Sequence, residues 1–297
     1  MKTDIKLHKE DLPANLKLGS VVACDCEFTG LNPPKDKLCL IQLYSEESKD
    51  VHIVQFINRE TYKSPNLVKN LYRKIISSIL FSLLNKRITY FTHNADLSLV
   101  KSDVRYLNYG LNDVKLPSPK NKSSSFRLLF FGGLEKSKGI INLINVVKRM
   151  AKQEIFLTVV GESNTLKLED ILKACANSKN ITINEGYASD KEVMEYFNNS
   201  DCLILPYDKG WNATSGPLHQ SIQCEVPVIV SNVPQLSYLV RKYDIGLVNE
   251  SNTLVGLARA ILKMKVTNSS FSKNLRDAKS KLTFDNLSKA LVKEING

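Results

Sequence analysis

From residue 126 onward, the chain alternates short apolar runs with segments whose apolar residues repeat at helical spacing. A short apolar run bounded by turn residues is typical of a strand buried on both faces, and the segment after each run has the period of an amphipathic helix. The predicted strands are Arg127–Phe131, Ile155–Val160, Ile181–Asn184, Cys202–Leu205, Val228–Val230 and Gly246–Val248. The predicted helices are Ile140–Ala151, Leu168–Ala176, Asp190–Asn198, Gly216–Cys224, Gln235–Lys242 and Thr253–Met264. This order predicts an α/β fold with a doubly wound, Rossmann-like parallel sheet.

The N-terminal part follows a different pattern. Residues Ser20–Cys26, Leu38–Tyr44 and Val51–Phe56 predict three strands joined by loops of a length that suits an antiparallel meander, and Asn66–Leu84 has helical spacing. We therefore expect a chain of three parts. These are residues 1–80, a basic linker at 81–125, and residues 126–297.

The positive charge is concentrated in the middle of the chain. The net charge is +11, and residues 84–152 hold 13 Lys and Arg against 4 Asp and Glu. Such a block favours an anionic partner, which is a nucleic acid, an anionic membrane surface or the phosphates of a nucleotide. A solvated basic linker accounts for the same charge equally well.

Several classes of protein are excluded by simple patterns. The longest nearly apolar run, Ile75–Leu84, has half the length of a membrane-spanning helix, and the N-terminus mixes charges of both signs as no secretory signal does. The six cysteines include no C-x-x-C pair, which argues against a zinc site or a disulfide framework. We predict a cytoplasmic protein, with peripheral attachment at the inner membrane face as the alternative that the basic stretch allows.

Two carboxylates stand near the end of the first predicted strand. Asp25 and Glu27 are two residues apart in ACDCEFTGL, so strand geometry places them on one face, where two carboxylates can bind a divalent cation. The alternative is the solvent-facing side of an edge strand. Residues 11–70, with D-C-E-F-T-G-L followed by K-L-C-L-I-Q-L, resemble the start of ribonuclease D, a 3′–5′ exonuclease of the DEDD superfamily. The resemblance implies part of a ribonuclease H-like fold, in which Asp25 and Glu27 bind Mg²⁺.

The other acidic motifs of that family are altered in this chain. The second motif has its acid five residues after a histidine, whereas His93 and Asp96 are three apart. The last motif, Tyr-x-x-x-Asp, occurs once, from Tyr109 to Asp113, and lies too close to the second. Because a two-metal site with half its ligands binds Mg²⁺ poorly, we expect a truncated exonuclease with little or no turnover.

A second resemblance covers residues 126–264. The segments RLLFFGGLEKSKGIINLI, IFLTVVGES, ITINEGYASDKEVMEYF and SGPLHQSIQCEVPVIVSNVPQLSYLV resemble, in order and spacing, the donor-binding domain of family 4 glycosyltransferases of the GT-B fold. The resemblance implies that this domain is the C-terminal half of a GT-B enzyme and binds a nucleotide sugar. The acceptor-binding half is expected to be absent, apart from its last strand near residues 87–93.

Individual residues agree with a phosphate site. Gly132 and Gly133 follow a strand, where a missing Cβ lets the backbone approach a ligand, and Lys138 can reach a phosphate, although an ordinary strand-to-helix turn has the same glycines. The segment Thr214, Ser215 and Gly216 places a hydroxyl at a helix N-terminus, which suits either an anion site or simple N-capping.

The remaining donor contacts come from the resemblance. Glu185 and Tyr187 occupy the family's nucleotide-base position, although an exposed tyrosine also anchors loops. The family often has arginine at the position of Gly133 and a pair of glutamates at those of Asn212 and Gln220. Gln220 can still hydrogen-bond a ribose hydroxyl, but it supplies no negative charge.

We therefore predict a fusion whose function follows its more complete domain. That domain is expected to bind a nucleotide sugar and transfer the sugar to a hydroxyl of an acceptor that the sequence does not identify, without a metal cofactor. Lys138 and the helix that begins after Ser215 would stabilise the leaving nucleoside diphosphate. Two alternatives remain at this point: a 3′–5′ exonuclease acting on RNA with two Mg²⁺ ions, and a non-catalytic nucleotide-sugar-binding module.

Overall fold

The computed structural model of the chain describes residues 5–9, 12–13, 15–16, 22–28, 38–45, 50–55, 90–92, 104–106, 109–111, 125–211 and 213–296. The chain divides into two compact units, Met1–Arg87 and Ile88–Gly297. The predicted helix Asn66–Leu84 lies outside the described residues, as do Asn212 and the motif residues His93, Asp96 and Asp113.

The first unit contains a four-stranded sheet. Its strands are β1 (Ile5–Lys9), β2 (Val22–Phe28), β3 (Leu38–Ser45) and β4 (Val51–Gln55), in the order β1-β4-β3-β2. The antiparallel pairing of β2 with β3 and of β3 with β4 confirms the predicted meander. The sequence did not predict β1, which pairs in parallel with β4 along the edge of the sheet.

The second unit has an α/β fold with a six-stranded sheet, which confirms the predicted fold class. Its six strands are β7 (Phe126–Phe131), β8 (Ile155–Gly161), β9 (Ile181–Glu185), β10 (Cys202–Leu205), β11 (Val228–Ser231) and β12 (Gly246–Asn249). They are all parallel. A separate parallel pair is formed by β5 (Tyr90–Thr92) and β6 (Val104–Tyr106).

Eight α-helices follow in the described part of this unit. They are α1 (Ile140–Lys148), α2 (Leu168–Cys175), α3 (Asp190–Asn198), α4 (Gly216–Gln223), α5 (Pro234–Tyr243), α6 (Leu254–Thr267), α7 (Ser272–Lys281) and α8 (Phe284–Asn296). The sequence predicted the first six but not α7 or α8. None of the helices formed by the described residues combines the length and the apolar character needed to cross a bilayer.

The strand order positions the site. The order is β12-β11-β10-β7-β8-β9, so the chain moves outward from β7 to β9 and then resumes at β10 on the other side of β7. Such a reversal leaves a crevice at the carboxyl ends of the strands beside it, where open α/β sheets bind ligands. Every residue of β10 and β11 is buried, as continuous apolar strands between two helical layers require.

Candidate functional site

A cavity of about 290 Å³ opens at the carboxyl ends of β7, β8 and β9. The residues around it come from the ends of these strands and the loops that follow them. They are Phe131, Gly132, Gly133, Val160, Gly161, Glu162, Asn164, Gly186, Tyr187 and Ala188. Three residues that the sequence predicts to bind the donor, Gly132, Gly133 and Tyr187, therefore share one cavity.

The floor of the cavity consists largely of main chain. Gly132 has a φ of 118°, and its N–H donates to the Val160 carbonyl oxygen at 3.0 Å. A Cβ on Gly161 would lie 2.0 Å from the Gly132 oxygen, which leaves no space for any side chain there. A Cβ on Gly132 would lie 3.3 Å from Cγ of Pro217, so the glycine turn also meets the start of α4. The structure thus brings together the two segments predicted to bind phosphate.

Lys138 lies directly behind this turn. It is buried at the end of a 3₁₀ turn, Lys136–Lys138, and its Nζ lies 2.9 Å from Oε1 of Glu135 and donates to the Gly133 carbonyl oxygen at 3.1 Å. The sequence predicts that Lys138 reaches a phosphate of the ligand. In the structure its ammonium is paired with a carboxylate, because three residues of a tight turn place Glu135 beside it.

Two aromatic rings also lie close to the same ammonium. Nζ of Lys138 is 5.9 Å from the ring centroid of Tyr207 and 5.5 Å from that of Trp211, distances at which a cation is attracted to a ring face. The two rings pack on each other with centroids 4.7 Å apart. Burial raises the pKa of Tyr207 to about 12, so its hydroxyl stays protonated at neutral pH.

The start of α4 differs from the expectation in one respect. Ser215 is the N-cap residue, but its hydroxyl accepts no hydrogen bond from the helix, so simple N-capping, one of the two alternatives for this hydroxyl, is not its role. The Ser215 Oγ instead lies 3.4 Å from the Tyr207 hydroxyl, in the buried interior. His219 supports this turn, since its Nδ1 lies 2.9 Å from the Ser215 carbonyl oxygen. Because a carbonyl oxygen can only accept, Nδ1 is the donor of this hydrogen bond.

The other predicted donor contacts are close to these groups. Thr214 and Gly216 are exposed at the start of α4, and a Cβ on Gly216 would meet no atom within 4 Å. Gln220 is half-buried one turn further along α4. Glu185 is exposed, and its Oε1 accepts from the N–H of Ser163 at 3.3 Å, while the Tyr187 side chain is 89% exposed at the rim of the cavity.

The two predicted metal-binding acids lie in the first unit. Asp25 and Glu27 are both in β2, opposite Gln42 and Leu40 of β3, and the register shifts after Glu27. Within the described ranges, no group of three or more His, Cys, Asp or Glu side chains is placed to hold a metal ion.

Sequence reasoning missed four residues of the second unit: Glu135, Tyr207, Trp211 and His219. Glu135 and Lys138 are three apart, a spacing at which side chains of a helical turn can pair, and this signal could have indicated their contact. The contact between Lys138 and the aromatic rings joins two loops about 70 residues apart and has no comparable signal.

Comparison with known proteins gives two family matches. The family described as "Glycosyl transferases group 1" matches residues 113–281, which is more than half of the chain. The family described as "3'-5' exonuclease" matches residues 4–114. An uncharacterized 41.2 kDa protein in the cps region of Klebsiella pneumoniae is 25% identical over 119 residues, which are 40% of this chain and 31% of that protein.

Solved structures share the fold of the chain. A glycosyltransferase from Rickettsia africae superposes with a TM-score of 0.62 at 13% identity, covering 73% of this chain and 65% of that one. Sucrose-phosphate synthase from Thermosynechococcus elongatus gives a TM-score of 0.55 at 18% identity, covering 65% of this chain and 52% of that one. HepE from Anabaena, in complex with UDP-glucose, gives 0.58 at 12% identity, covering 74% and 66%. The chain thus spans about a third of the curated relative and between half and two thirds of these structures.

Proposed function

The chain belongs to the group 1 glycosyl transferases through residues 113–281, and we propose that this part binds a nucleotide-sugar donor in the cavity at the ends of β7, β8 and β9. The observation that carries the proposal is the meeting of the Gly132 turn with the start of α4, beside the Lys138 ammonium. A similar structure holds UDP-glucose, which makes UDP-sugars the first donors to test.

The residues that the sequence predicts to bind the donor have separate roles in this proposal. The nucleotide base rests by Tyr187 and Glu185, and Gln220 hydrogen-bonds the ribose. The diphosphate lies between the Gly132–Gly133 turn, which offers close approach, and the N-terminus of α4 at Gly216, whose dipole favours an anion. Lys138 adds the full positive charge.

The reaction is the transfer of the sugar to a hydroxyl. The acceptor oxygen forms a bond to the anomeric carbon, the bond from that carbon to the phosphate oxygen breaks, and its electron pair leaves with the nucleoside diphosphate. The acceptor proton passes to a base or to solvent. Lys138 and α4 lower the barrier because they stabilise the negative charge that develops on the leaving group, and the scheme requires no metal cofactor.

Calorimetric titration with UDP-, GDP- and ADP-sugars tests the donor site. We expect one class, the UDP-sugars, to bind. Gly216→Asp should weaken that binding at least about 10-fold, because the new carboxylate repels the diphosphate at the start of α4. Gly210→Asp is the matched control, since a Cβ at Gly210 also meets no atom within 4 Å and Gly210 belongs neither to α4 nor to the Gly132 turn. Absence of binding by all three classes, or equal effects of the two variants, would contradict the proposal.

The exonuclease match favours a second candidate function, RNA hydrolysis from the 3′ end with Mg²⁺ held by Asp25 and Glu27. We expect no measurable release of nucleotides from 5′-labelled RNA with Mg²⁺ or Mn²⁺, because the sequence supplies two acids in the family's motif positions where two-metal hydrolysis needs four. Gel separation of the products checks this. Release that disappears in Asp25→Ala would show the expectation to be wrong.

A further inference from the structure

The carboxylate of Glu135 is paired with the ammonium of Lys138, the same ammonium that the proposed function assigns to the diphosphate. Its Oε1 is 2.9 Å from Nζ of Lys138, and Nζ is 3.6 Å from the position that a Cβ on Gly133 would take. Gly133 itself lines the cavity. The ion pair therefore borders the proposed diphosphate position, with its lysine 11% exposed and its glutamate 28% exposed in their side chains.

Lys138 does not depend on Glu135 for its position. The ammonium also donates to the Gly133 carbonyl oxygen and lies against the rings of Tyr207 and Trp211. These three contacts involve main chain and packed rings, so we expect them to persist when the carboxylate moves away. The Lys138 ammonium can therefore pair in the same position with either the Glu135 carboxylate or a phosphate.

Glu135, in contrast, is weakly held. It precedes the 3₁₀ turn with an extended backbone, and its side chain caps none of the turn's N–H groups. Its Oε2 accepts from the Ser137 hydroxyl at 3.4 Å, at the long end for a hydrogen bond between oxygens. A partly exposed carboxylate with one strong partner can turn toward solvent at little cost when a second anion competes for that partner.

We propose that Glu135 is an internal competitor of the donor's diphosphate: its carboxylate occupies Lys138 in the ligand-free protein and is displaced when a diphosphate binds. Carboxylate and phosphate oxygens make the same kind of charge-assisted hydrogen bond to an ammonium, so one can replace the other. The exchange lowers the affinity for donor and nucleoside diphosphate alike, and it favours product release because Glu135 returns to Lys138. This inference rests on the proposed donor site.

Titration of UDP and, separately, of inorganic pyrophosphate tests the exchange. Both are followed by calorimetry and by the fluorescence of Trp211, the one tryptophan of the chain, whose ring lies against Lys138. We expect Glu135→Gln to tighten the binding of both probes about 3- to 10-fold, since the neutral amide competes poorly. Glu169→Gln, which removes an exposed carboxylate outside the cavity lining, is the control and is expected to change affinity by about twofold or less.

A second variant and a double substitution sharpen the test. Glu135→Ala should tighten binding in the same direction, and in a Lys138→Ala background Glu135→Gln should lose its effect, because the competition acts through that lysine. Unchanged or weaker binding in both Glu135 variants, or equal gains in Glu135→Gln and Glu169→Gln, would overturn the inference.

The two probes separate this inference from the proposed function. If Glu135→Gln tightens pyrophosphate but no UDP-sugar binds, the exchange stands and the donor proposal fails. If UDP-sugars bind and the Glu135 variants have no effect, the donor site stands and the exchange fails. If neither probe binds any variant, both are wrong.

Discussion

Replacing Lys138 with alanine is expected to weaken the affinity for a UDP-sugar by roughly 10- to 150-fold. A charge-assisted hydrogen bond in a partly buried site contributes about 1.5 to 3 kcal/mol, which corresponds to that range. Lys138 is the buried cation beside the glycine turn, and its ammonium is already oriented by Gly133 and two aromatic rings. Calorimetric titration of wild type and variant measures the loss.

Lys136→Ala is the matched control for this prediction. Lys136 lies in the same turn but is exposed. Its removal therefore tests whether any positive charge on the loop contributes equally to donor binding. The role assigned to Lys138 would be wrong if both variants lost the same small amount of UDP-sugar affinity and added salt removed the difference from wild type. Only a diffuse attraction between the basic loop and the anionic donor would then act. Thermal unfolding of both variants separates a loss of affinity from a loss of fold.

The second large effect is expected for Gly139→Ala, which should lower the free energy of unfolding by about 2 to 5 kcal/mol. Gly139 has φ 66° and ψ 21°, a left-handed conformation that costs an L-residue about 1 kcal/mol. A Cβ there would also lie 2.1 Å from the Pro206 carbonyl oxygen, and only movement of the main chain can relieve that overlap. Urea unfolding followed by Trp211 fluorescence measures the change.

Gly210→Ala provides the comparison for Gly139→Ala. Gly210 has open space where its Cβ would lie and no positive φ, so alanine there should leave the urea midpoint almost unchanged. If the two variants unfold at the same midpoint, the close packing of the Lys138 turn against the end of β10 does not contribute to stability as described.

The second unit was largely predictable because strands such as β10 and β11 are buried on both faces. Runs such as Cys202–Leu205 and Val228–Val230 are apolar throughout, a pattern that polar loops and amphipathic helices do not share. Helix α7 was missed because SKNLRDAKSK buries only Leu275 and Ala278, which leaves too few apolar residues to show a period. Strand β1 was missed because its five residues, IKLHK, alternate with charge and stay mostly exposed at a sheet edge.

The site was predictable where it depends on chain position and unpredictable where it depends on burial. Gly132 and Tyr187 follow strands, and parallel strands bring their carboxyl ends to one edge, so their shared cavity follows from order alone. The burial of Ser215 against Tyr207 does not follow from strand order, because an N-cap serine usually turns its hydroxyl to its own helix. The sequence shows that a hydroxyl is present at this position but not which group it contacts.

The main-chain floor of the cavity limits how this protein can change over evolutionary time. A side chain at Gly161 would overlap the Gly132 carbonyl, so mutation cannot reshape the floor without disrupting the ends of β7 and β8. The rim, in contrast, carries side chains such as Asn164, Glu162 and Tyr187 that can be exchanged with little effect on folding. A lineage that acquires a different donor, or a laboratory selection for one, is therefore expected to accumulate its substitutions at these rim positions while the glycines stay fixed.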